Sequence, residues 1–113
     1  MNIQIYALKK NFDVQKAERY FKERSIKFQS IDLSKKPMGA RELDSVCRAV
    51  GGVDELIDRD NKAYAGSILR YTNGEDEKKE QLLANIKLMR TPVVRNGQKA
   101  TVGYNPEVWD TWE

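Results

Sequence analysis

A change of hydrophobic period near the N-terminus constrains the fold of this chain more than any other feature. Apolar and polar residues alternate over residues 3–7, as in a half-buried strand. A helical repeat follows over about residues 13–24, with Asp13 as the expected N-cap, and a second β-prone run occupies residues 28–33. Because a helix of this length suits a crossover between parallel strands, we expect a β-α-β opening.

The middle of the chain predicts helices. Apolar residues from Ala40 to Val50 trace one helical stripe that includes Cys47 and ends at Gly51-Gly52. Residues 53–74 predict short helical turns joined by polar loops. The acidic run that begins at Glu75 predicts another helix, because carboxylates stabilise a helix N-terminus.

The C-terminal region predicts a hairpin followed by a helix. Asn96-Gly97 lies between two β-prone runs in the segment 91–103, which is typical of a two-residue turn in which both residues have positive φ. Pro106 then opens a short helix. We expect one of Trp109 and Trp112 to pack on the sheet and the other to be partly exposed.

Composition excludes several kinds of function. The 113 residues suit one domain, and the net charge of +3 is dispersed, so we expect no direct nucleic-acid ligand. No apolar run could cross a membrane and no leader pattern opens the chain, which predicts a cytoplasmic protein. With Cys47 as the single cysteine and no histidine, we expect no internal disulfide, no metal site and no Cys-His or Ser-His catalytic pair.

The order βαβ, helices, ββα is that of the thioredoxin fold with helices added between its halves. We therefore predict an α/β protein with a mixed four-stranded sheet. Residues 1–113 would form a single domain, with thioredoxin-like portions over about 1–36 and 90–113 and a helical insertion over about 37–89.

Five segments together resemble the ArsC/Spx family of arsenate reductase-like proteins. The resemblance covers essentially the whole chain, and it is specific because the segments occur in the family's order and spacing. The segments are Ile5-Tyr6, Ile31-Asp32-Leu33, 52–57 (GVDELI), 91–97 (TPVVRNG) and 102–107 (VGYNPE).

The resemblance implies a missing redox centre. Family members carry a cysteine at a helix N-terminus, where the helix dipole stabilises its thiolate as nucleophile. That position is Asn11 here, and the second cysteine of the CxxC members corresponds to Val14. An amide neither ionises near neutral pH nor forms a disulfide. Asn11 is also open to a plain structural interpretation as a helix-entry residue.

The resemblance also implies the loss of an anion clamp. Arsenate reductases hold the oxyanion with three arginines, and the corresponding positions are Asp58, Thr91 and Asn105. Arg59 and Arg90 each lie one position away and are alternatives for that role.

Other residues would complete the pocket of the family. Lys9 and Lys10 precede Asn11 and could attract an anion, although paired lysines on a loop are usually just solvated. Phe12 belongs to the same loop. Pro92 resembles the cis-proline that faces the active loop in thioredoxin folds.

Three functions follow from the resemblance. The first is a redox-inactive interaction module, monomeric and Spx-like, that contacts the C-terminal domain of the RNA polymerase α subunit and regulates transcription; Gly52 matches a glycine of that contact. The second is a glutaredoxin-linked arsenate reductase-like oxidoreductase, which would need an accessible Cys47. The third is a binder of glutathione or a small anion without chemistry. We expect no other cofactor.

Overall fold

In the computed structural model, which describes residues 1–112, four strands form one mixed sheet. The strands are β1 (Ile3–Ala7), β2 (Phe28–Asp32), β3 (Val93–Asn96) and β4 (Lys99–Val102), in the order β2-β1-β3-β4. β1 and β2 are parallel, whereas β3 is antiparallel to both β1 and β4. The predicted mixed four-stranded sheet is confirmed. The single domain stays a prediction, and its last residue, 113, lies outside the described residues.

The crossover from β1 to β2 is the helix α1 (Phe12–Glu23). The predicted N-cap was wrong by two positions, because Asn11 rather than Asp13 caps the helix. The Asn11 side chain reaches the free backbone N–H of the first turn, and Asp13 lies inside that turn, where its carboxylate favours the positive end of the dipole.

The connection from β2 to β3 is helical, as predicted. It contains α2 (Ala40–Val50), α3 (Lys62–Ala65) and α4 (Glu75–Ala84), with 3₁₀ turns at Val53–Leu56, Ile68–Tyr71 and Ile86–Leu88. Gly51 ends α2 with a φ of +100°, a backbone conformation that glycine adopts without steric cost.

The hairpin between β3 and β4 differs from the prediction in its turn. Asn96 pairs with Lys99 inside the ladder, so the turn residues are Gly97 and Gln98. Gly97 has a φ of +64°, and the only described non-glycine residue with positive φ is Ser25. With Gly97 first in the turn, Asn96 does not need positive φ. Positive φ has a higher conformational energy for a residue with a side chain than for glycine.

Each face of the sheet has its own core. α1 and α5 (Pro106–Trp109) cover one face, and α2 with the helical connection covers the other. Trp109 and Trp112 are only 3% and 6% exposed, so the expectation that one of them is partly exposed was wrong. Both indoles join the aromatic cluster beside α1, where burial of large rings is strongly favourable.

Within residues 1–112, the structure contains no helix that is long and apolar enough to span a membrane.

Candidate functional site

A cleft lies where β1 leads into α1, beside the loop that precedes β3. Its volume is about 260 Å³. Four separate segments of the chain line it. They are residues 8–13, residues 58–61 and 87–91 of the helical connection, and Gly103. The cleft brings together four of the predicted site residues: Lys9, Asn11, Asp58 and Thr91.

Asn11 connects two walls of this cleft. Its Oδ1 accepts a hydrogen bond from the backbone N–H of Val14 at 2.8 Å, which caps α1. Its Nδ2 donates to the Thr91 carbonyl at 3.5 Å, a longer and weaker contact. Both ends of the amide therefore have protein partners, and the side chain serves as a structural link.

The loop opposite Asn11 contains Pro92. The Thr91-Pro92 peptide bond is cis, as the resemblance implied. Pro92 is buried, and its carbonyl accepts a hydrogen bond from the Gly103 N–H at 2.8 Å. This bond extends the β3–β4 ladder up to the cleft.

The cleft has mixed charge. Lys9, Lys87 and Arg90 line it together with the carboxylates of Asp13 and Asp58. Two carboxylates close to three cations weaken the attraction for an anion, since like charges at such distances repel. The cleft is thus only weakly cationic.

Both alternative arginines have protein partners. Arg59 donates through Nη1 to the Asp54 carbonyl and through Nη2 to the Asp54 carboxylate, each at 3.1 Å. Arg90 lines the cleft, but its Nη1 donates to the Glu55 carbonyl at 3.0 Å. Only Arg90 lies where it could turn toward a ligand.

Lys10, Phe12 and Asn105, which were predicted for the pocket, lie outside the cleft. Lys10 forms an ion pair with Glu18 at 3.2 Å and lines a neighbouring groove between α1 and β2. Phe12 points to solvent, with 80% of its side chain exposed. Asn105 donates to the Val102 carbonyl at 2.7 Å and lines a groove on the far side of β4.

Gly52 lies away from the cleft, at the start of the 53–56 turn. Its φ is +127°, and a Cβ there would come within 3.9 Å of the Glu75 carboxylate. The same carboxylate accepts a hydrogen bond from the Val53 N–H at 3.0 Å. The backbone at Gly52 is therefore suited to glycine.

Cys47 is buried on the inner face of α2, at 3% exposure. Burial raises the pKa of its thiol from 9.0 to about 11. Its neighbours are apolar core residues, as the helical stripe predicted. No group of three or more potential metal ligands occurs among residues 1–112.

Three polar residues of the cleft, Asp13, Asn61 and Lys87, were not predicted as site residues. Asn61 caps α3 through Oδ1 and donates from Nδ2 to the Lys87 carbonyl at 3.2 Å. An asparagine before a short helix is a recognisable capping signal, but the meeting of two loops that lie 26 positions apart has no sequence signal.

Comparisons with known proteins agree on fold and family. The sequence profile of the ArsC family matches residues 6–112. Among solved structures, an arsenate reductase from Vibrio cholerae is 20% identical, with a TM-score of 0.83 over 96% of this chain and 94% of that chain. An ArsC-family-related protein from Bacteroides fragilis is 22% identical, with a TM-score of 0.83 over the full length of both chains.

A third solved structure, an arsenate reductase (ArsC) related protein from Brucella melitensis, is 22% identical, with a TM-score of 0.70 over 99% of this chain and 94% of that chain. Comparison with curated proteins gives no match. At these identities the similarity confirms the thioredoxin-like fold, and the family profile supplies the family.

Proposed function

Because the chain belongs to the ArsC family, we propose that it is a redox-inactive member that acts by binding a protein partner. The partner that we propose is the C-terminal domain of the RNA polymerase α subunit, as in Spx-type members. The observation that carries the proposal is the use of Asn11, at the family's nucleophile position, as the cap of α1.

The chemistry of Asn11 supports the loss of activity. Thiol-based reduction needs a thiolate that attacks arsenic or sulfur and then leaves as part of a disulfide. A carboxamide can do neither, and Val14 supplies no second thiol. The hydrogen bonds of Asn11 to Val14 and Thr91 instead give it a structural role.

Cys47 does not replace the missing thiol. With a pKa of about 11, about one thiol in 10⁴ is ionised at pH 7. It is also buried among the apolar side chains of the α2 core, away from the residues that line the cleft. A thiol in that environment is inert in the folded state.

The charges of the cleft also argue against an arsenate site. Asp58 occupies one of the family's arginine positions and lines the cleft. Arg59 is paired with Asp54, outside the cleft. An arsenate anion would therefore meet a carboxylate where the reductases supply a guanidinium.

The surface around Gly52 supports the choice of partner. Gly52 is partly exposed between the end of α2 and the 53–56 turn, and it matches the glycine of the Spx contact. With no side chain at this point, a partner could approach the backbone closely.

Binding to the purified C-terminal domain of the polymerase α subunit, measured by calorimetry, tests the proposal. Saturable binding is expected for the wild-type chain, and Gly52→Arg is expected to weaken it. Gly66→Arg is the matched control, because Gly66 has negative φ and open space around it. Since Gly52→Arg strains the backbone, folding of each variant is checked by its melting curve. Absence of binding by the folded wild-type chain would remove the polymerase contact.

The open cleft favours a second candidate, a binder of a small anion or of glutathione without chemistry. Lys9, Lys87 and Arg90 are the cations that would meet the carboxylates of such a ligand. A thermal-shift titration with glutathione and with sulfate tests it, because ligand binding to the folded state raises the melting temperature. No shift at millimolar ligand would reject this candidate.

The glutaredoxin-linked oxidoreductase remains as the activity to be disproved. It requires a reactive thiol, so the rate at which Cys47 reacts with a disulfide reagent in the native protein tests it.

A further inference from the structure

The outer edge of β4 offers unpaired backbone groups. The Gly103 N–H donates to the Pro92 carbonyl at 2.8 Å, so residues 92 and 103 form a hydrogen-bonded pair of the antiparallel ladder. Such pairs alternate along the strands, which makes Ala100 and Val102 members of non-hydrogen-bonded pairs. The backbone N–H and C=O groups of Ala100 and Val102 therefore point away from β3.

Asn105 confirms this direction. Its Nδ2 donates to the Val102 carbonyl at 2.7 Å from outside the sheet. That contact satisfies one of the two outward carbonyls and leaves both outward N–H groups. Among residues 1–112, no acceptor outside the strand ladders bonds to the N–H groups of Ala100 and Val102, so the outward edge has two free donors and one free acceptor.

A groove of about 390 Å³ runs along this edge. Ala49 and Val50 of α2 line one side of it, and Val108 of α5, which is 42% exposed, lines the other. β4 itself forms the floor through Ala100 and Val102. The groove leaves the outward backbone edge of β4 accessible, with apolar side chains from a helix on each face of the sheet beside it.

Cations predominate around the groove. Exposed Arg90 lines its end near Val102, and exposed Arg48 lines the adjoining depression at the turn end, beside Gln98. Lys99 lies on the strand itself, and Glu55 is the one carboxylate in the lining of the groove. A lysine on an edge strand opposes pairing with like strands, whereas opposite charges across a strand pair attract.

We propose that the outer edge of β4 binds an extended acidic peptide segment of a partner protein as an additional strand of the sheet. The excess of backbone donors and the surrounding cations both favour a segment rich in carbonyl and carboxylate acceptors. The groove adjoins the surface around Gly52, since Val50 and Glu55 line it. The inference rests on the backbone edge of β4 and does not depend on the proposed polymerase contact.

A second copy of the chain fits the edge less well. Symmetric pairing of two β4 strands would place the cations Lys99, Arg48 and Arg90 of both copies along one interface, and the repulsion of like charges opposes such contact. A separate acidic segment avoids this repulsion.

The test is an NMR titration of the ¹⁵N-labelled full chain with two synthetic peptides, acetyl-Glu-Val-Thr-Val-Glu-amide and acetyl-Lys-Val-Thr-Val-Lys-amide. The acidic peptide is expected to shift the Ala100 and Val102 amides saturably, whereas the basic peptide shifts neither. Millimolar acidic peptide without these shifts, or equal binding of both peptides, would overturn the proposal.

Two variants identify the edge. Ala100→Pro removes an outward donor without touching the β3–β4 ladder and is expected to weaken binding about tenfold. Ser30→Pro, on the opposite edge strand β2, is the matched control and should leave binding unchanged. If Ala100→Pro does not fold, the double variant Arg48→Glu/Arg90→Glu decides, because it should abolish binding of the acidic peptide. Unchanged binding of the acidic peptide by these variants would overturn the proposal. A concentration-dependent dimer that Ala100→Pro disrupts would also overturn it, because the edge would then bind a second copy of the chain.

Discussion

The Oδ1 of Asn11 accepts a hydrogen bond from the backbone N–H of Val14 at 2.8 Å. The family resemblance places these two residues at the positions where CxxC members carry their cysteines. Instead of a dithiol that cycles through a disulfide, this chain has a permanent helix cap between the same positions. The position that is reactive in those relatives is structural in our account.

Replacing Asn11 with alanine should destabilise the protein. The change removes the cap of α1, which is worth about 1 kcal/mol, and should lower the melting temperature by about 4–8 °C. Asn11→Asp should keep the cap and lose little. Calorimetric melting checks both variants, with Asn73→Ala as an exposed control. If Asn11→Ala melts at the wild-type temperature, the cap contributes nothing.

Much of the fold could be predicted because hydrophobic period and turn residues are local signals. The stripe from Ala40 to Val50 and the stop at Gly51 gave the bounds of α2 correctly. The sequence does not distinguish Asn11 from Asp13 as the N-cap, because both residue types are good caps. Which of them caps α1 depends on where β1 ends and the helix begins. The exposure of Trp112 depends on tertiary packing against α1, which no local pattern encodes.

The site was predictable only in part, for a related reason. Lys9, Asn11, Asp58 and Thr91 were expected together because the family resemblance carries long-range information. Asn105 was expected beside them, but its amide is engaged by the Val102 carbonyl on the other side of the hairpin. The sequence motif around Asn105 does not indicate that its side chain bonds to a backbone carbonyl three residues away.

The thiol of Cys47 should react slowly in the native protein. Its pKa is raised from 9.0 to about 11 by burial, so it has about 100-fold less thiolate than an unfolded chain at the same pH. We expect titration with a disulfide reagent at pH 8 to be at least that much slower than in urea. Fast reaction without denaturant would show an accessible thiol and revive the oxidoreductase.

Stability should fall in acid partly through Glu42. Burial opposes ionisation of its carboxyl group, but hydrogen bonds from the Gly39 N–H and the Tyr6 hydroxyl favour it. With the charges of Arg95 and Lys36, they hold the pKa of Glu42 below 4.5. A depressed pKa in the folded state stabilises the protein above about pH 4.5, and this stabilisation is lost as pH falls through the folded pKa.

Urea unfolding at several pH values checks this expectation. Glu42→Gln should lower the free energy of unfolding at pH 7. It should also reduce the decrease of that free energy between about pH 5 and about pH 3, the range in which carboxyl groups titrate. Glu55→Gln, an exposed carboxyl with no ion pair among the described residues, should follow the wild-type curve. Parallel curves for wild type and Glu42→Gln would contradict the role of Glu42.

The buried contact between Trp109 and Thr101 should be important for stability. The indole Nε1 donates to the Thr101 hydroxyl at 2.8 Å, and both residues are buried. Thr101→Val keeps the shape but leaves the indole N–H without a partner, at a cost of about 1–3 kcal/mol. Denaturant unfolding measures it, with Thr111→Val as the exposed control. Equal stability of wild type and Thr101→Val would show that the indole finds another acceptor.

The central claim is that the wild-type chain does no thiol chemistry, and an arsenate reduction assay tests it most directly. The purified chain is incubated with arsenate, glutathione and glutaredoxin, and arsenite is measured, with the Vibrio cholerae arsenate reductase as positive control. The account predicts arsenite formation at the rate of the protein-free mixture, for wild type and for Cys47→Ser alike. Multiple turnovers by the wild-type chain would contradict it.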